Sequence, residues 1–239
     1  MERESYWRRG IGIAVRNPRA GIRVALSLLH GIYYRLKFRI TGQRVVIGKR
    51  FQVIGGLTIR GPGTVIFGDD CAVISGPLSP TTPTTHSRDA VIKFGNRVLL
   101  TGTRLGCDSR IEVGDLTGLA ECRILDTDFH SVDVVGDEPR YNTRGRSKPI
   151  IIGRNVWVGG ASMVLKGVRI GDNSVVAAGS VVVMPVPANT VVLGNPARVV
   201  SRVRVTATAS RTGAAVPATA TSATAATTAS TSSPNAQAI

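Results

Sequence analysis

Aliphatic residues recur at every sixth position through the second half of the chain, and small or β-branched residues lie four places after each of them. The first series is Ile152, Val158, Val164, Ile170, Val176 and Val182, and the second is Val156, Ser162, Val168, Ser174, Ser180 and Val186. An α-helix repeats every ~3.6 residues and a single strand every ~2, so neither produces this period. Short flat strands joined by tight corners do, with three strands in each triangular turn of a coil.

The residues that follow the aliphatic series are those that tight corners favour. Gly153, Gly159, Gly171 and Asn189 each come directly after a position of the six-residue spacing. Gly and Asn tolerate the backbone geometry of such corners. We therefore expect both series to point inward, with each aliphatic side chain stacked on its equivalent one turn away. A coil of this kind is stabilised by its neighbouring turns and needs a cap at each end.

The same spacing marks the earlier part of the chain, with shifts in register. It passes through Ile47, Val53, Ile59, Val65, Phe67, Val73, Phe94, Leu100, Val113, Leu119 and Leu125. Residues 76–90 interrupt it with three prolines and a threonine cluster, which predicts an excursion out of the wall rather than a strand. Residues 131–149 form a second interruption, which is polar and charged. We predict a coil domain over residues 41–204.

Residues 1–40 are predicted to form a helical unit. Apolar side chains at helical spacing make one stripe, and basic residues flank it; the stripe is Ile22, Ala25, Leu26, Leu29, Ile32, Tyr33 and Leu36, and the flank is Arg16, Arg19, Arg23, His30 and Lys37. Pro18 suggests that the helix begins near that residue. Such a helix either lies in a membrane interface or packs its stripe over the open end of the coil, and the sequence leaves both open.

The end of the chain has a different composition. Residues 205–239 consist largely of Ala, Thr and Ser, which bury too little apolar surface to offset the entropy of ordering. We predict that this tail is disordered.

Charge and cysteine content limit the classes of function. The formal net charge of +15 comes from 30 Lys and Arg against 15 Asp and Glu, and twelve of the basic residues lie in the first fifty positions. This excess indicates an anionic partner or a solvated face, although no nucleic-acid motif accompanies it, so we expect no nucleic acid. Cys71, Cys107 and Cys122 lack disulfide or metal spacing, and we expect buried thiols and no metal site.

Three short stretches carry a family resemblance. They are IIGRNVWVGG at residues 151–160, MVLKGVRIGDNSVVAAGSVV at residues 163–182, and GNPAR at residues 194–198. The chain resembles hexapeptide-repeat acyltransferases, above all the branch with maltose and galactoside O-acetyltransferases and colanic-acid-type polysaccharide acetyltransferases. The resemblance implies an all-β fold, a left-handed parallel β-helix, and homotrimers with active sites in the clefts between subunits.

The resemblance also implies the residues that transfer the acyl group. It places the catalytic histidine at His130 and an oxyanion-binding backbone amide at Gly160. A neutral imidazole suits the removal of a hydroxyl proton near neutral pH. Asp128 is a candidate to orient His130, or else makes a turn, and Asp126 is favoured as a turn residue. His86 is expected to be a loop residue.

Acetyl-CoA is the acyl donor that the resemblance implies. Ala178 and Gly179 match positions whose backbone contacts the pantetheine arm, and Arg198 matches a cofactor-contacting arginine. Trp157 fits a position beside the cofactor groove, or else packs at a corner. The family's usual Thr-Lys is replaced here by Val183-Met184, and Lys166 is a possible substitute on an adjacent coil.

We therefore expect an acetyl-CoA-dependent O-acetyltransferase that acts on a sugar hydroxyl of a surface polysaccharide or lipid-linked precursor. Because the N-terminus lacks a clean signal peptide, a cytoplasmic location is expected. Peripheral contact with the membrane through residues 16–38 is a further possibility that the sequence leaves open. The alternatives are an N-acetyltransferase acting on an amino sugar and a non-catalytic trimeric scaffold. A γ-class carbonic anhydrase would need three converging histidines, and the chain has only His30, His86 and His130.

Overall fold

The structure is a computed structural model that describes residues 17–134 and 136–204. The predicted tail and Arg16 lie outside these residues. One helix, α1 (Pro18–Ile40), precedes strands on three faces of a coil. The first face has β1 (Val45–Ile47), β3 (Thr64–Phe67), β6 (Val91–Phe94), β9 (Arg110–Val113), β12 (Ile150–Ile152) and β15 (Arg169–Ile170). The second has β2 (Gln52–Ile54), β4 (Ala72–Ile74), β7 (Leu99–Thr101), β10 (Gly118–Ala120), β13 (Trp157–Val158), β16 (Val175–Val176), β18 (Thr190–Gly194) and β19 (Ala197–Arg202). The third has β5 (Thr82–Thr85), β8 (Arg104–Cys107), β11 (Arg123–Leu125), β14 (Met163–Leu165) and β17 (Val181–Val182).

The strand register confirms the predicted coil. Successive turns pair in parallel, with Ile152 beside Ile170 and Val158 beside Val176. Every residue of the two six-residue series from position 152 onward is buried. The first series therefore stacks as an aliphatic core, and the second series places small or β-branched residues in the interior, such as Ser162 and Val168. Among the paired strands of the described residues, only β18 and β19 are antiparallel.

Each corner between the first and second faces has two structural requirements, a close approach of neighbouring coils and a left-handed backbone, and different residues meet them. A Cβ atom on Gly114 would lie 2.6 Å from the carbonyl carbon of Gly153, so this column of glycines is required by close approach of the coils. The left-handed backbone falls two residues later, on Asn155 and Asn173, with φ of 55° and 58°. The side-chain amide of Asn155 donates to the side-chain oxygen of Asn173 at 2.9 Å. The corner geometry predicted for the glycine thus belongs to the asparagine.

The prediction that residues 76–90 leave the wall was wrong. Only residues 76–80 protrude, and β5 follows them with Pro83 and Thr85 buried. Pro83 lacks an amide hydrogen, but its carbonyl accepts from the Arg60 amide at 3.1 Å, and Thr82 donates to the carbonyl of Thr103 at 2.9 Å. Since threonine favours strands, this segment continues the third face despite its prolines.

The predicted inward position of Leu125 was also wrong. Ile124 is fully buried and pairs with Val164, whereas Leu125 is half-buried on the outer surface. The corner that enters the third face is one residue shorter in this coil than after Val158, because Leu119 and Ile124 are five positions apart. An exact six-residue count therefore overshoots the core position.

Helix α1 begins at Pro18, as the sequence suggested, with the Asn17 side chain accepting from the Ala20 amide at 3.2 Å. It packs on β2 and β1 with the face that carries Ser27, Gly31, Tyr34 and Phe38, all of them buried. The Tyr34 hydroxyl accepts from the Leu57 amide at 3.0 Å. The helix therefore covers the first coil.

The predicted apolar stripe does not make this contact, so the alternative in which the stripe packs over the coil is wrong. Its members lie on the opposite side of α1, and the large ones are 54–61% exposed: Ile22, Leu26, Leu29, Ile32, Tyr33 and Leu36. Small residues such as Ser27 and Gly31 allow the helix to approach the coil closely, whereas the wider apolar side chains remain outside. Within the described residues, no helix has the length and hydropathy needed to span a membrane.

The three cysteines are buried and unpaired, as predicted. Burial raises the pKa of Cys71 to about 11 and that of Cys122 to about 12. Burial, followed by the nearby Asp126, also raises the pKa of Cys107. These thiols are packing groups and not nucleophiles.

The close approach of stacked corners predicts the effect of Gly114→Ala. The added methyl group must displace the Gly153 backbone, which costs about 1–3 kcal/mol and lowers the melting temperature by roughly 3–10 °C. The matched control is Gly56→Ala, since a Cβ atom there meets nothing within 4 Å. Thermal unfolding followed by circular dichroism measures both, and equal melting temperatures for the two variants would refute the account.

Candidate functional site

An arm formed by residues 126–149 leaves the coil after β11 and returns at β12. Its two halves pair with each other through antiparallel bridges between Thr127 and Ser147 and between His130 and Arg144. A short 3₁₀ turn, Arg140–Asn142, lies near its tip. The second interruption in the sequence is therefore a folded projection beside the third face.

Asp126 fixes the base of this arm. Its side chain is fully buried, and the carboxylate accepts from the amides of Asp108, Ser109 and Arg110 at 2.7–2.8 Å. Asp126 therefore bonds to backbone amides, as the turn-making interpretation required. These amides belong to the preceding coil and not to the arm itself. This carboxylate has a structural role.

Asp108 ties the outer half of the arm to the wall. Its carboxylate accepts from the Arg144 guanidinium at 2.9 Å and from the Ser147 hydroxyl at 2.8 Å. Burial of Asp108 opposes ionisation, but these hydrogen bonds outweigh it, so the pKa of Asp108 is lowered. The arm is held in place by a charged contact at neutral pH.

His130 lies on this arm, and its side chain is exposed. It borders a cavity of about 430 Å³ lined by His86, Ser87, Asp108, Thr127, Phe129, His130 and Arg144. The rings of His86 and Phe129 meet edge to face at 5.0 Å. His86 lies in the bend directly after β5, in agreement with the expected loop position, and it lines the same cavity as His130.

The carboxylate of Asp128 points to a different partner from the one expected. Its Oδ1 accepts from the ammonium of Lys166, and its backbone carbonyl accepts from the His130 amide at 2.7 Å. Among the described residues, Asp128 Oδ2 is buried without a hydrogen-bond partner. Asp128 thus contacts His130 through the backbone, and Lys166, which was a candidate for cofactor binding, is engaged by Asp128.

A second set of predicted residues lies on the second face and at its corner with the third. The indole of Trp157 is 46% exposed and rests on Gly118, where a Cβ atom would lie 2.6 Å from the ring. Trp157 thus packs on the preceding coil, and its place beside a cofactor groove stays a prediction. Arg198 is exposed on β19 and donates to the carbonyl of Ala197 at 3.0 Å.

The corner that contains Gly160 is open. No atom lies within 3.8 Å of the place of its missing Cβ, since the nearest is the Ala120 oxygen at 3.9 Å. The carbonyl of Gly160 accepts from the Gly179 amide at 2.8 Å, which stacks Ala178 and Gly179 on the next coil. In the described part of the chain, the amides of Gly160 and Ala178 donate no backbone hydrogen bond. They are available to a ligand.

One chain does not bring the two sets together. Gly160 precedes β14, and Lys166, which contacts Asp128, follows it. At ~3.3 Å per residue, the segment from Gly160 to Lys166 spans roughly 15–20 Å. His130 and the Gly160 amide therefore lie at opposite edges of the third face.

The sequence interpretation missed a groove on that face. Its volume is about 540 Å³, and its lining includes Arg60, Arg104, Arg123, Leu125 and Phe129. The available signal was the outward position of Arg104 and Arg123 at the start of successive strands of the third face. The groove was not predicted because residues 76–90, which contain β5 of the third face, were expected to leave the wall.

Histidines do not converge on a metal-binding arrangement in the described residues. His30 lies on α1 with its ring 5.1 Å from that of Tyr34. No group of three His, Cys, Asp or Glu side chains placed to hold an ion occurs in residues 17–134 and 136–204.

Comparison with known proteins agrees with the repeat pattern. Residues 149–183 match the family model described as the hexapeptide repeat of succinyl-transferase. The chain is 40% identical over 96 residues to galactoside O-acetyltransferase of Escherichia coli, covering 40% of this chain and 46% of the relative. It is 38% identical over 108 residues to a protein of Saccharomyces cerevisiae, covering 45% of this chain and 50% of the relative. The chain thus spans about half the length of the curated relatives it matches.

A solved structure shows the same fold. The N-acyltransferase AntD from Bacillus cereus, in complex with dTDP and 3-hydroxybutyryl-CoA, superposes with a TM-score of 0.54 over 71% of this chain and 88% of that one, at 18% identity. Parallel coils, inward-pointing repeats and these likenesses lead to one conclusion. The chain has the left-handed parallel β-helix fold, and its residues 149–183 carry hexapeptide repeats similar to those of hexapeptide-repeat acyltransferases.

Proposed function

We propose that the protein transfers an acyl group, in particular acetyl, from acyl-CoA to a sugar hydroxyl. The observation that carries this proposal is the placement of His130, which is exposed at the edge of a 430 Å³ cavity on a firmly anchored arm. Asp108 and Asp126 hold this arm to the wall through buried carboxylates. The similarity to galactoside O-acetyltransferase supports the same reaction class.

His130 acts as the general base in this proposal. A neutral imidazole nitrogen removes the proton of the acceptor hydroxyl as its oxygen attacks the thioester carbonyl. The Gly160 amide, which has no backbone partner in the described residues, donates to the developing oxyanion. When the tetrahedral species collapses, the C–S bond breaks and the imidazolium returns the proton to the thiolate. The products are the sugar ester and free CoA.

The open corners supply a path for the donor. Ala178 and Gly179 are exposed and small, so a pantetheine arm can lie against their backbone. Trp157 borders this path, and Arg198 is exposed for a phosphate of coenzyme A. Lys166 could reach a phosphate only by leaving Asp128, so we assign the phosphate contact to Arg198.

Asp128 is proposed to position His130. Its Oδ2 is buried and has no partner among the described atoms, so it retains a lone pair for an imidazole N–H. Lys166 holds the other oxygen, Oδ1. A rotation of the exposed His130 side chain would complete the pair.

We propose a homotrimer because a single chain separates the two halves of the chemistry. In a three-fold arrangement, the edge of one subunit that bears His130 faces the edge of the next that bears Gly160 and Ala178. Three equivalent sites then form between subunits, and each contains one copy of either half.

Two other functions use the same surfaces. An N-acetyltransferase acting on an amino sugar needs the same base, and the fold of the N-acyltransferase AntD is shared. A non-catalytic scaffold would need neither the open Gly160 corner nor an exposed His130. The geometry therefore favours catalysis. Whether a hydroxyl oxygen or an amine nitrogen attacks depends on the acceptor.

Replacement of the proposed base tests the assignment directly. We expect His130→Asn to reduce acetyl transfer by about 10²–10⁴-fold, because a general base contributes this much. His30→Asn is the matched control, since His30 lies on α1 away from the arm. Release of free CoA with a panel of sugars measures both variants, and equal rates would rule out His130 as the base.

Mixing two inactive variants tests the shared site. His130→Asn removes the base, and Ala178→Trp fills the proposed donor path. Random assembly of the two should restore about one quarter of the sites, since each half is intact in half of the subunits. Activity of the co-expressed mixture is compared with either variant alone. No recovery from a mixture shown to contain mixed trimers would mean that one subunit supplies the whole site.

We also propose that α1 lies at an anionic membrane surface, which would place the protein peripherally on the inner face of the plasma membrane. The exposed apolar stripe is opposite the face that packs on the coil. The helix has no acidic residue, and basic residues border the stripe on both sides: Arg19, Arg23, Arg35, Lys37 and Arg39. An apolar centre with cationic borders is complementary to a bilayer interface with anionic lipids.

The double variant Leu26→Ser/Leu29→Ser tests this location. Because both side chains are about 60% exposed, we expect little change in melting temperature but loss of co-sedimentation with vesicles of one part phosphatidylglycerol to three of phosphatidylcholine. Leu78→Ser, at a side chain that is 93% exposed on a loop, is the control. Unchanged sedimentation would refute the proposal, as would an altered molecular mass showing that the stripe holds a second copy.

A further inference from the structure

Three arginines line the 540 Å³ groove on the third face. Arg104 and Arg123 are direct partners in the parallel pairing of β8 and β11. Arg60 lies two coils before Arg104, at the bridge to Thr84 of β5, and all three arginines are exposed. No Asp or Glu contributes to the lining. The groove is therefore strongly positive.

Nothing in the described residues neutralises these charges. Arg60, Arg104 and Arg123 form no ion pair or side-chain hydrogen bond there, whereas Arg50, Arg110, Arg144 and Arg146 each pair with a carboxylate. Strands in a sheet are ~4.8 Å apart, and like charges directly opposite each other are destabilising. A bound anion would relieve this repulsion.

The groove continues into the cavity of His130. Both are lined by His86 and Phe129. The Phe129 ring lies over Gly106, where a Cβ atom would be 2.9 Å from the ring, and it thus forms part of the floor between the two spaces. A sugar lying beside Phe129 can reach His130 with a hydroxyl while its charged group lies among the arginines.

We propose that this groove binds an oxyanion, a carboxylate or a phosphate, of the acceptor. The inference rests on the proposed acyl transfer and specifies its acceptor as an anionic sugar or glycan. Arginine suits this task because its planar guanidinium forms two parallel hydrogen bonds to such groups. Leu125 and Phe129 supply the apolar contact for a sugar ring.

Binding and turnover are measured separately in the test. Titration calorimetry uses a galacturonic acid trimer, glucose 1-phosphate and neutral maltotriose as probes, so that a carboxylate is distinguished from a phosphate. We expect Arg104→Gln/Arg123→Gln to weaken binding of the charged probe by about 10–100-fold. Arg123→Lys should retain part of the affinity. Arg169→Gln, an exposed arginine on the first face, should leave it unchanged.

Acetyl transfer to the same probes gives the second readout. The ratio of kcat/KM for the charged over the neutral acceptor should fall in the double variant by a similar factor, through KM. Equal binding or an unchanged ratio would overturn the proposal. A comparable loss of acetyl-CoA affinity would overturn it by assigning the arginines to the donor, and a changed oligomeric mass by assigning them to a second copy. Failure of the wild-type protein to acetylate any acceptor refutes acyl transfer itself, whereas calorimetry still reports on the groove.

Discussion

The direct stacking of each coil on the next is the constraint on which the structure depends. Backbone hydrogen bonds join neighbouring turns through the strands and also at the corners, as where Gly114 donates to Ile152 at 2.8 Å. This spacing leaves no room for a Cβ atom at the glycines of the corner between the first and second faces, such as Gly114. Because every turn must match the one beside it, side chains along most strands alternate between a mainly apolar interior and an outer surface that is accessible to ligands.

Chemistry is therefore placed where the stacking is interrupted or left open. The arm between the fourth and fifth coils carries His130 and is fastened by Asp108 and Asp126. The corner at Gly160 keeps its amide free because no side chain crosses it. The wall thus holds His130 on the arm and leaves the Gly160 amide open at a corner, and these are two groups on which the proposed reaction depends.

The sequence predicted the coil well because the period of six appears directly in the core residues from Ile152 onward. It failed where local chemistry concealed the register: the prolines beside β5 resembled a loop, and a corner one residue short placed Leu125 outside. The helix was predicted, but not which face it buries, because that choice depends on how closely Gly31 approaches the coil. The salt bridge from Lys166 to Asp128 joins residues 38 positions apart, which no spacing rule anticipates.

The placement of the arm divides the coil into two parts with different freedom to change. The proposed donor contacts lie in the turns after the arm, whereas the arginine groove is built largely from the turns before it. Since each turn contacts only its neighbours, the early turns can be exchanged or altered without disturbing the later ones. In the proposed reaction, residues that select the acceptor could thus be changed while the contacts to the donor stay the same.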